Sequence, residues 1–365
     1  MRILNVTSIE DWRGGDAQMY TIYNLLKKYD EIEQFILCPD TSILSQKCEA
    51  DKASYFTYNK KSKIKSLIKP IQQIVKNQNI DVLHVHDSSA LSASILAKIL
   101  SCRDVRIIYS RKRNNRIKNN FFSKLKYDNK YVEEIVCVSK AVEQIYHDVN
   151  VSPNKLVTIY DAIDVQKFSN QISKNIIHKE LNLSNETKIV GNICSLTKQK
   201  DVKTFIDSAK VIIENYNEEI AFVIIGDGVL KDDLKEYSEL KGLNDKVYFL
   251  GFRDNVDELL PELDVLLITS LTEGLPLSIY EAFASRVPIV STKAGGISEV
   301  VKNNETGFVS EIKDVDDLAK KVILILLNDE LRNNIIENAY QLVSTKFDLK
   351  NLEENYLNYY KTLNQ

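Results

Sequence analysis

Short apolar runs alternate with helix-forming segments along almost the whole chain, and this alternation constrains the fold more than any other feature. Strand patterns fall at Arg2–Ser8, Glu33–Cys38, Asp81–His86, Val105–Ser110, Ile135–Val138 and Lys155–Tyr160. Helical patterns at about Ala17–Lys28, Lys63–Asn77 and Lys140–Val149 separate them, and Ser139 is placed to cap the last. Strands spaced by helices of about ten or more residues specify a parallel, doubly wound α/β sheet, because parallel neighbours need a crossover. The polar stretch Gln166–Thr187 breaks the rhythm, which then restarts with strands at Lys188–Ile193, Ala221–Ile225, Lys246–Leu250, Asp264–Thr269 and Pro288–Ser291. Helices at Asp201–Asn215, Val229–Lys241 and Leu318–Leu327 accompany them. The expectation is two Rossmann-like units, residues 1–165 and 166–345, facing each other across a cleft.

In doubly wound sheets ligands gather beyond the carboxyl ends of the strands. Glu273-Gly274-Leu275-Pro276-Leu277-Ser278-Ile279-Tyr280-Glu281 follows such an end. A loop with Gly, then Pro at the first turn of an apolar-faced helix, leaves backbone N–H groups free and aims a positive helix end outward, an arrangement suited to phosphate. One carboxylate stands in the loop and one inside the helix. Gly14-Gly15, in the polar loop Glu10–Asp16 after the first strand, is either a phosphate- or sugar-contacting loop or only a tight turn. His86 ends another strand beside Asp87; it reads as a reactive-centre histidine or as one bonded to a loop carbonyl. No Gly-x-Gly-x-x-Gly is present, so the dinucleotide fingerprint is missing. Asp314-Val315-Asp316 has the look of a metal-binding Asp-x-Asp, but at a helix start acids serve the dipole, and it is read as a cap.

Composition bounds the setting. Hydrophobic content of 44% and charged content of 27% are ordinary globular values. The longest apolar runs fall well short of the roughly 18–20 residues that span a membrane. Five scattered cysteines without metal-ligand spacing read as reduced thiols of a cytoplasmic protein, and Met1–Thr7 turns polar too soon for a signal peptide. The net charge of −3 hides an asymmetry: residues 1–165 carry 25 Lys/Arg against 19 Asp/Glu, and residues 166–365 carry 23 against 32. Much of the excess lies in Arg103–Lys130, with ten Lys/Arg, two acids and the interleaved Phe121, Phe122, Leu125 and Tyr127. The stretch is a solvated face, or a surface for an anionic acceptor or for anionic lipid headgroups; in the latter case the protein sits at the inner face of the cytoplasmic membrane. No motif for binding nucleic acid accompanies the charge.

Taken together and in order, the strings EGLPLSIYEA, Gly295-Gly296-Ile297-Ser298-Glu299, Glu305-Thr306-Gly307-Phe308, Ile225-Gly226-Asp227-Gly228, Phe249-Leu250-Gly251-Phe252 and Val138-Ser139-Lys140-Ala141 resemble the retaining glycosyltransferases of family 4. Glu273 and Glu281 match that family's Glu-x7-Glu motif, and the likeness covers nearly the whole chain. It implies the GT-B fold, with acceptor binding in the first unit, donor binding in the second, and a C-terminal helix (about 346–365) crossing back to the first.

The resemblance also implies roles. Glu281 would accept hydrogen bonds from the nucleotide ribose, and Glu273 would meet the donor sugar. Amides of Gly274, Leu275, Pro276 and Leu277 would line the sugar and phosphate, although Pro276 itself has no N–H. Lys200 would neutralise the diphosphate, His86 would stand at the reaction centre, Gly15 near the phosphate, and Gly251 to Arg253 at the base. The donor would be a UDP- or GDP-linked sugar and the acceptor a glycan or a lipid-linked molecule, with no cofactor and no metal. Two departures stand out. Ser195 replaces an arginine that many members carry five residues before the lysine, so Arg13 or Lys293 would have to substitute, or the diphosphate is held less strongly. Tyr160-Asp161-Ala162-Ile163-Asp164 replaces the usual Asn-Gly-Ile-Asp. The Trp12–Gly15 and Ser110–Arg113 regions are reminiscent of members that assemble bacterial surface polysaccharide or lipopolysaccharide, with Arg111 and Arg113 toward the acceptor. The alternatives are a GT-B sugar-nucleotide epimerase and a non-catalytic sugar-nucleotide- or glycan-binding subunit of an assembly complex.

Overall fold

The computed structural model describes residues 1–12, 14–100 and 104–363. It contains two parallel sheets. The first holds β1 (Arg2–Val6), β2 (Glu33–Pro39), β3 (Tyr55–Tyr58), β4 (Val82–Val85), β5 (Arg106–Arg111), β6 (Val132–Cys137) and β7 (Leu156–Thr158), in the order 3-2-1-4-5-6-7. The second holds β8 (Lys188–Ile193), β9 (Ile220–Ile225), β10 (Val247–Gly251), β11 (Val265–Ile268), β12 (Ile289–Thr292) and β13 (Phe308–Ser310), in the order 10-9-8-11-12-13. Helices carry the crossovers. The central strands are buried along most of their length, which is why they appear as continuous apolar runs rather than alternating ones. Each sheet reverses its strand order once, between β1 and β4 in the first and between β8 and β11 in the second. At such a reversal neighbouring crossovers leave in opposite directions and open a crevice at the carboxyl ends.

The chain divides into two compact units, Met1–Asp161 together with the segment from Leu349, and Ala162–Asp348. The break thus falls before Ala162, and the polar stretch that looked like the boundary is folded into the second unit. It forms two short helices, Val165–Ser169 and Ile176–Glu180, that bury Phe168 and Ile177. The buried Glu262 carboxylate accepts from the N–H groups of Ile176 and Ile177, so a side chain from elsewhere stabilises a helix too short to stand alone. The helix Leu349–Thr362 belongs to the first unit, where Leu352, Tyr356, Tyr359 and Tyr360 are buried.

Other differences from the sequence pattern have simple causes. The first helix starts at Gly14 and ends at Leu26, so Gly14 and Gly15 form its opening turn rather than a loop. The helix Ile43–Ala50 and edge strand β3 were not legible, being short and mixed in polarity. Asp314 caps the helix Val315–Leu327 by accepting from Asp317 N, which is the capping role rather than metal binding. Among the described cysteines, Cys38, Cys48, Cys137 and Cys194 are free thiols.

Candidate functional site

In the second unit the reversal between β8 and β11 brings the donor candidates together. The β8 strand runs out into Cys194 and the exposed Ser195, and a tight turn follows at Lys198–Lys200. The loop after β11 is bound to that turn: Leu271 N donates to Gln199 O, Gln199 Nε2 to Thr272 O, and Thr269 Oγ1 to Lys200 O and Asp201 O. With both backbones held, Lys200 Nζ stands 2.6 Å from Glu273 Oε1, and Ser270 Oγ donates to the same oxygen at 2.6 Å. The sequence suggested separate partners for Lys200 and Glu273, whereas they form a largely buried ion pair. Gly296 N donates to Glu273 O, which brings the Gly295–Glu299 turn against the same loop.

Pro276 occupies the capping position, one residue before the helix Leu277–Ala284, and no side chain caps that helix. Ile279 N donates back to Pro276 O, and the positive end of the helix is turned toward the loop of Glu273. Ile279, Tyr280, Ala282, Phe283 and Ala284 pack into the core, while Leu277, Ser278 and Glu281 share the remaining face at three- and four-residue spacing. Glu281 lies one turn beyond the helix start. Burial pushes its carboxyl up to about 7; Lys167 pulls it down and Asp257 adds to the rise.

Two basic candidates of this unit are differently employed. Arg253 donates through Nη2 to Glu180 and through Nε to Leu250 O, so its guanidinium is committed within the protein. The neighbouring Gly251 has φ +71 and Phe252 is 76% exposed. Lys293 pairs with Glu311. Arg13, like Arg103, lies outside the described residues.

In the first unit the reversal between β1 and β4 places His86 beside the loop Thr7–Trp12. His86 N donates to Val6 O. Its Nε2 is 3.1 Å from Asn5 Oδ1, and its buried Nδ1 has no hydrogen-bond partner. The Asn5 amide is oriented by Nδ2, which donates to Gln34 Oε1 and Phe35 O, so its oxygen must face the ring. Burial, then His84, then Lys112 hold His86 well below the usual histidine range. A neutral ring facing an acceptor carries its proton on Nε2.

The adjacent Asp87 has a task of its own. It caps the helix Ser88–Ile99 through Ser89 N and Ala90 N, and it accepts from Ser8 N at 2.6 Å and Ser8 Oγ at 2.8 Å. The ring next to His86 is His84, 4.4 Å between centroids, with Nδ1 2.6 Å from Tyr360 Oη and Nε2 2.7 Å from Ser110 Oγ. Burial pushes His84 down to about 3.

Sequence reasoning missed a pair here. Lys112 forms a largely buried ion pair with Asp161. Burial works against the Lys112 ammonium, but Asp161 more than compensates and its affinity for the proton is raised. A Cβ at Gly15 would make only ordinary contact with Lys112 Cγ at 3.7 Å, so this lysine lies against the first helix turn without needing a glycine there. Both residues stood in quoted strings, but nothing local signals a pairing across 49 positions. Arg111 donates to the carbonyls of Arg113 and Asn115 and shapes its own loop, and Arg113 is exposed.

The two-unit, doubly wound architecture is the GT-B fold. Two solved structures share it over nearly the full length: a glycosyltransferase from Rickettsia africae (TM-score 0.86, 20% identity, 100% of this chain and 98% of that one) and Anabaena HepE in complex with UDP and glucose (TM-score 0.84, 19% identity, 99% and 100%). The family model for Glycosyltransferase Family 4 matches residues 14–167, and that for Glycosyl transferases group 1 matches residues 173–342. The chain belongs to the family 4 glycosyltransferases and is a transferase enzyme. It is 27% identical over 305 residues to N-acetyl-alpha-D-glucosaminyl L-malate synthase of Bacillus anthracis (80% of this chain, 77% of that protein). It is also 27% identical over 306 residues to the UDP-Gal:alpha-D-GlcNAc-diphosphoundecaprenol alpha-1,3-galactosyltransferase of Escherichia coli (79% of each).

Proposed function

We propose that this enzyme transfers a sugar from a UDP- or GDP-linked donor to a glycan or lipid-linked acceptor in the assembly of bacterial surface polysaccharide or lipopolysaccharide, retaining the anomeric configuration without a metal. The observation that carries the donor reading is the cluster at the second reversal: Lys200, Glu273 and Ser270 bonded together beside an uncapped helix start, with Glu281 one turn further on. The names of two relatives support the donor and acceptor classes. The Escherichia coli protein is named for a UDP-sugar donor and a diphosphoundecaprenol-linked acceptor, and a Campylobacter jejuni relative is likewise named for a diphospho-undecaprenol acceptor.

On this reading the bond from the anomeric carbon to the leaving phosphate oxygen breaks while the acceptor oxygen bonds to the same face. The leaving phosphate takes the acceptor proton. Negative charge grows on the diphosphate, and Lys200, the amides of the loop Gly274–Leu277 and the helix start stabilise it. Glu281 accepts from the ribose hydroxyls, and Glu273, held by Lys200 and Ser270, accepts from the sugar. His86, Gly15 and Arg113 keep the roles that the family resemblance implies, at the reaction centre, near the phosphate and toward the acceptor. Ser195 brings one hydrogen-bonding hydroxyl and no charge, so Lys200 carries a larger share than in relatives with an arginine there.

A thermal-shift screen with UDP-, GDP- and ADP-sugars identifies the donor, since a ligand that binds only the folded state raises stability by mass action. With that donor, Lys200→Ala is expected to lower turnover by roughly 10²–10³, and turnover is expected to persist in excess EDTA. Near-normal turnover in Lys200→Ala, or its loss in EDTA, refutes the corresponding part of the reading.

A further inference from the structure

The helix Phe121–Tyr127 turns two adjacent phenylalanines to solvent. Phe121 is 73% exposed, Phe122 77% and Leu125 54%, and their three- and four-residue spacing puts them on one side of the helix. The opposite side is anchored. Tyr127 is buried, stacked on Tyr109 at 6.0 Å and edge-on to Tyr146 at 5.4 Å, and Asn120 caps the helix start through Ser123 N. The phenylalanines are therefore held outward by a fixed base. A contiguous exposed apolar patch in a basic frame is the signature of an interaction face rather than of scattered surface apolar residues.

The charge around it is of one sign. Arg111 to Lys126 contains seven Lys/Arg and no Asp or Glu. Arg111, Lys112 and Lys126 are engaged internally, the last with Ser88 O and Ser88 Oγ. Arg113, Arg116, Lys118 and Lys124 are exposed in the same stretch of chain as the phenylalanines. The nearest acids in the chain are occupied, Asp104 with Lys98 and Asp128 with Lys155.

We propose that this face of the first unit docks on an anionic lipid bilayer, with Phe121, Phe122 and Leu125 entering the headgroup boundary and Arg116, Lys118 and Lys124 lying over acidic headgroups. Apolar insertion and basic attraction are the two signals that together make peripheral attachment stable. A second copy of the chain is a poorer occupant, because a two-fold contact sets the patch against itself and opposes like charges. Nucleic acid would use the phenylalanines as stacking platforms but has no use for the aliphatic Leu125 beside them. Among the described residues no helix is long and apolar enough to cross a membrane. The proposal does not depend on the donor or acceptor assigned above.

The test is flotation of the full chain with vesicles of equal parts phosphatidylglycerol and phosphatidylcholine, against phosphatidylcholine alone. The wild type is expected to float with the anionic vesicles and at least about tenfold less with the neutral ones, given roughly one such factor for every one or two exposed cations. Phe121→Ser/Phe122→Ser, and separately Arg116→Gln/Lys118→Gln/Lys124→Gln, should each weaken partitioning about a hundredfold, with unchanged melting temperatures because all five positions are exposed. Absence of flotation, equal flotation with both vesicles, or flotation indifferent to both variants overturns it. So does a concentration-dependent dimer that the phenylalanine variant abolishes without vesicle binding, or binding of poly(U) that anionic vesicles do not displace.

Discussion

Burial pushes the Glu281 carboxyl up to about 7, so its charge changes within the range in which enzymes are commonly assayed. An acid whose folded pKa lies above its ordinary value near 4.5 holds its proton more tightly when folded, so ionising it removes stability as pH rises from about 4.5 to about 7. Donor binding should run the other way, because ribose hydroxyls donate best to the ionised carboxylate. Calorimetric titration of the donor nucleotide is expected to show affinity rising from pH 6 to pH 8, by about fivefold to tenfold, and Glu281→Gln should remove that slope. Parallel profiles for the two proteins would take Glu281 out of the ribose role. His86 permits a second test at this scale. The fixed Asn5 amide predicts a single Nε2–H tautomer, visible in long-range proton–nitrogen spectra, and Asn5→Ala should give a mixture of tautomers. A mixture in the wild type would mean that the amide does not orient the ring.

At the scale of elements, the loops at the strand ends are held by groups whose sequence signals are easy to misassign. Asp87 looks like a partner for His86, yet its oxygens take four hydrogen bonds, two at a helix start and two from Ser8. Asp87→Ala should lower stability by about 2–4 kcal/mol, read as an earlier melting transition, and Asp87→Asn should recover part of it. A variant of normal stability but impaired turnover would restore the functional reading. Gly226 was legible only as part of a family string, and its physical reason is backbone proximity. It has φ +140, and a Cβ there would lie 1.8 Å from Cys194 O, on the loop that leads to Ser195. Gly226→Ala should destabilise the second unit by more than about 3 kcal/mol, or prevent its folding. The strands and the Glu273–Glu281 stretch could be read from sequence because their periodicity and punctuation are local. The pairs Lys200–Glu273 and Lys112–Asp161 could not, because they form only after crossovers bring residues 73 and 49 positions apart to strand ends of one sheet.

For the whole molecule, connectivity and compactness disagree in an informative way. The second unit, Ala162–Asp348, is continuous in sequence and has its own core around Phe205, Phe222, Val265, Val290 and Val322. The first unit is not continuous: its last helix arrives from the far end of the chain and buries Leu352, Tyr356, Tyr359 and Tyr360. Tyr360 also supplies the hydroxyl 2.6 Å from His84 Nδ1, next to the His86 ring. Burial of those four side chains is worth on the order of 6–12 kcal/mol, comparable to the entire stability of an ordinary domain, about 5–15 kcal/mol. The two units should therefore differ when separated. Residues 162–348 alone are expected to unfold in one cooperative transition, whereas 1–161 alone should lack one and regain it when residues 349–363 are joined through a flexible linker. Tyr360→Phe, which keeps the ring and removes the hydroxyl, tests the finer claim that the tail also sets the histidine pair. It should leave the melting transition within about 1–2 kcal/mol while moving the imidazole nitrogen resonances of His84. Cooperative unfolding of 1–161 without the tail would show that the crossing helix only covers a core that is already sufficient.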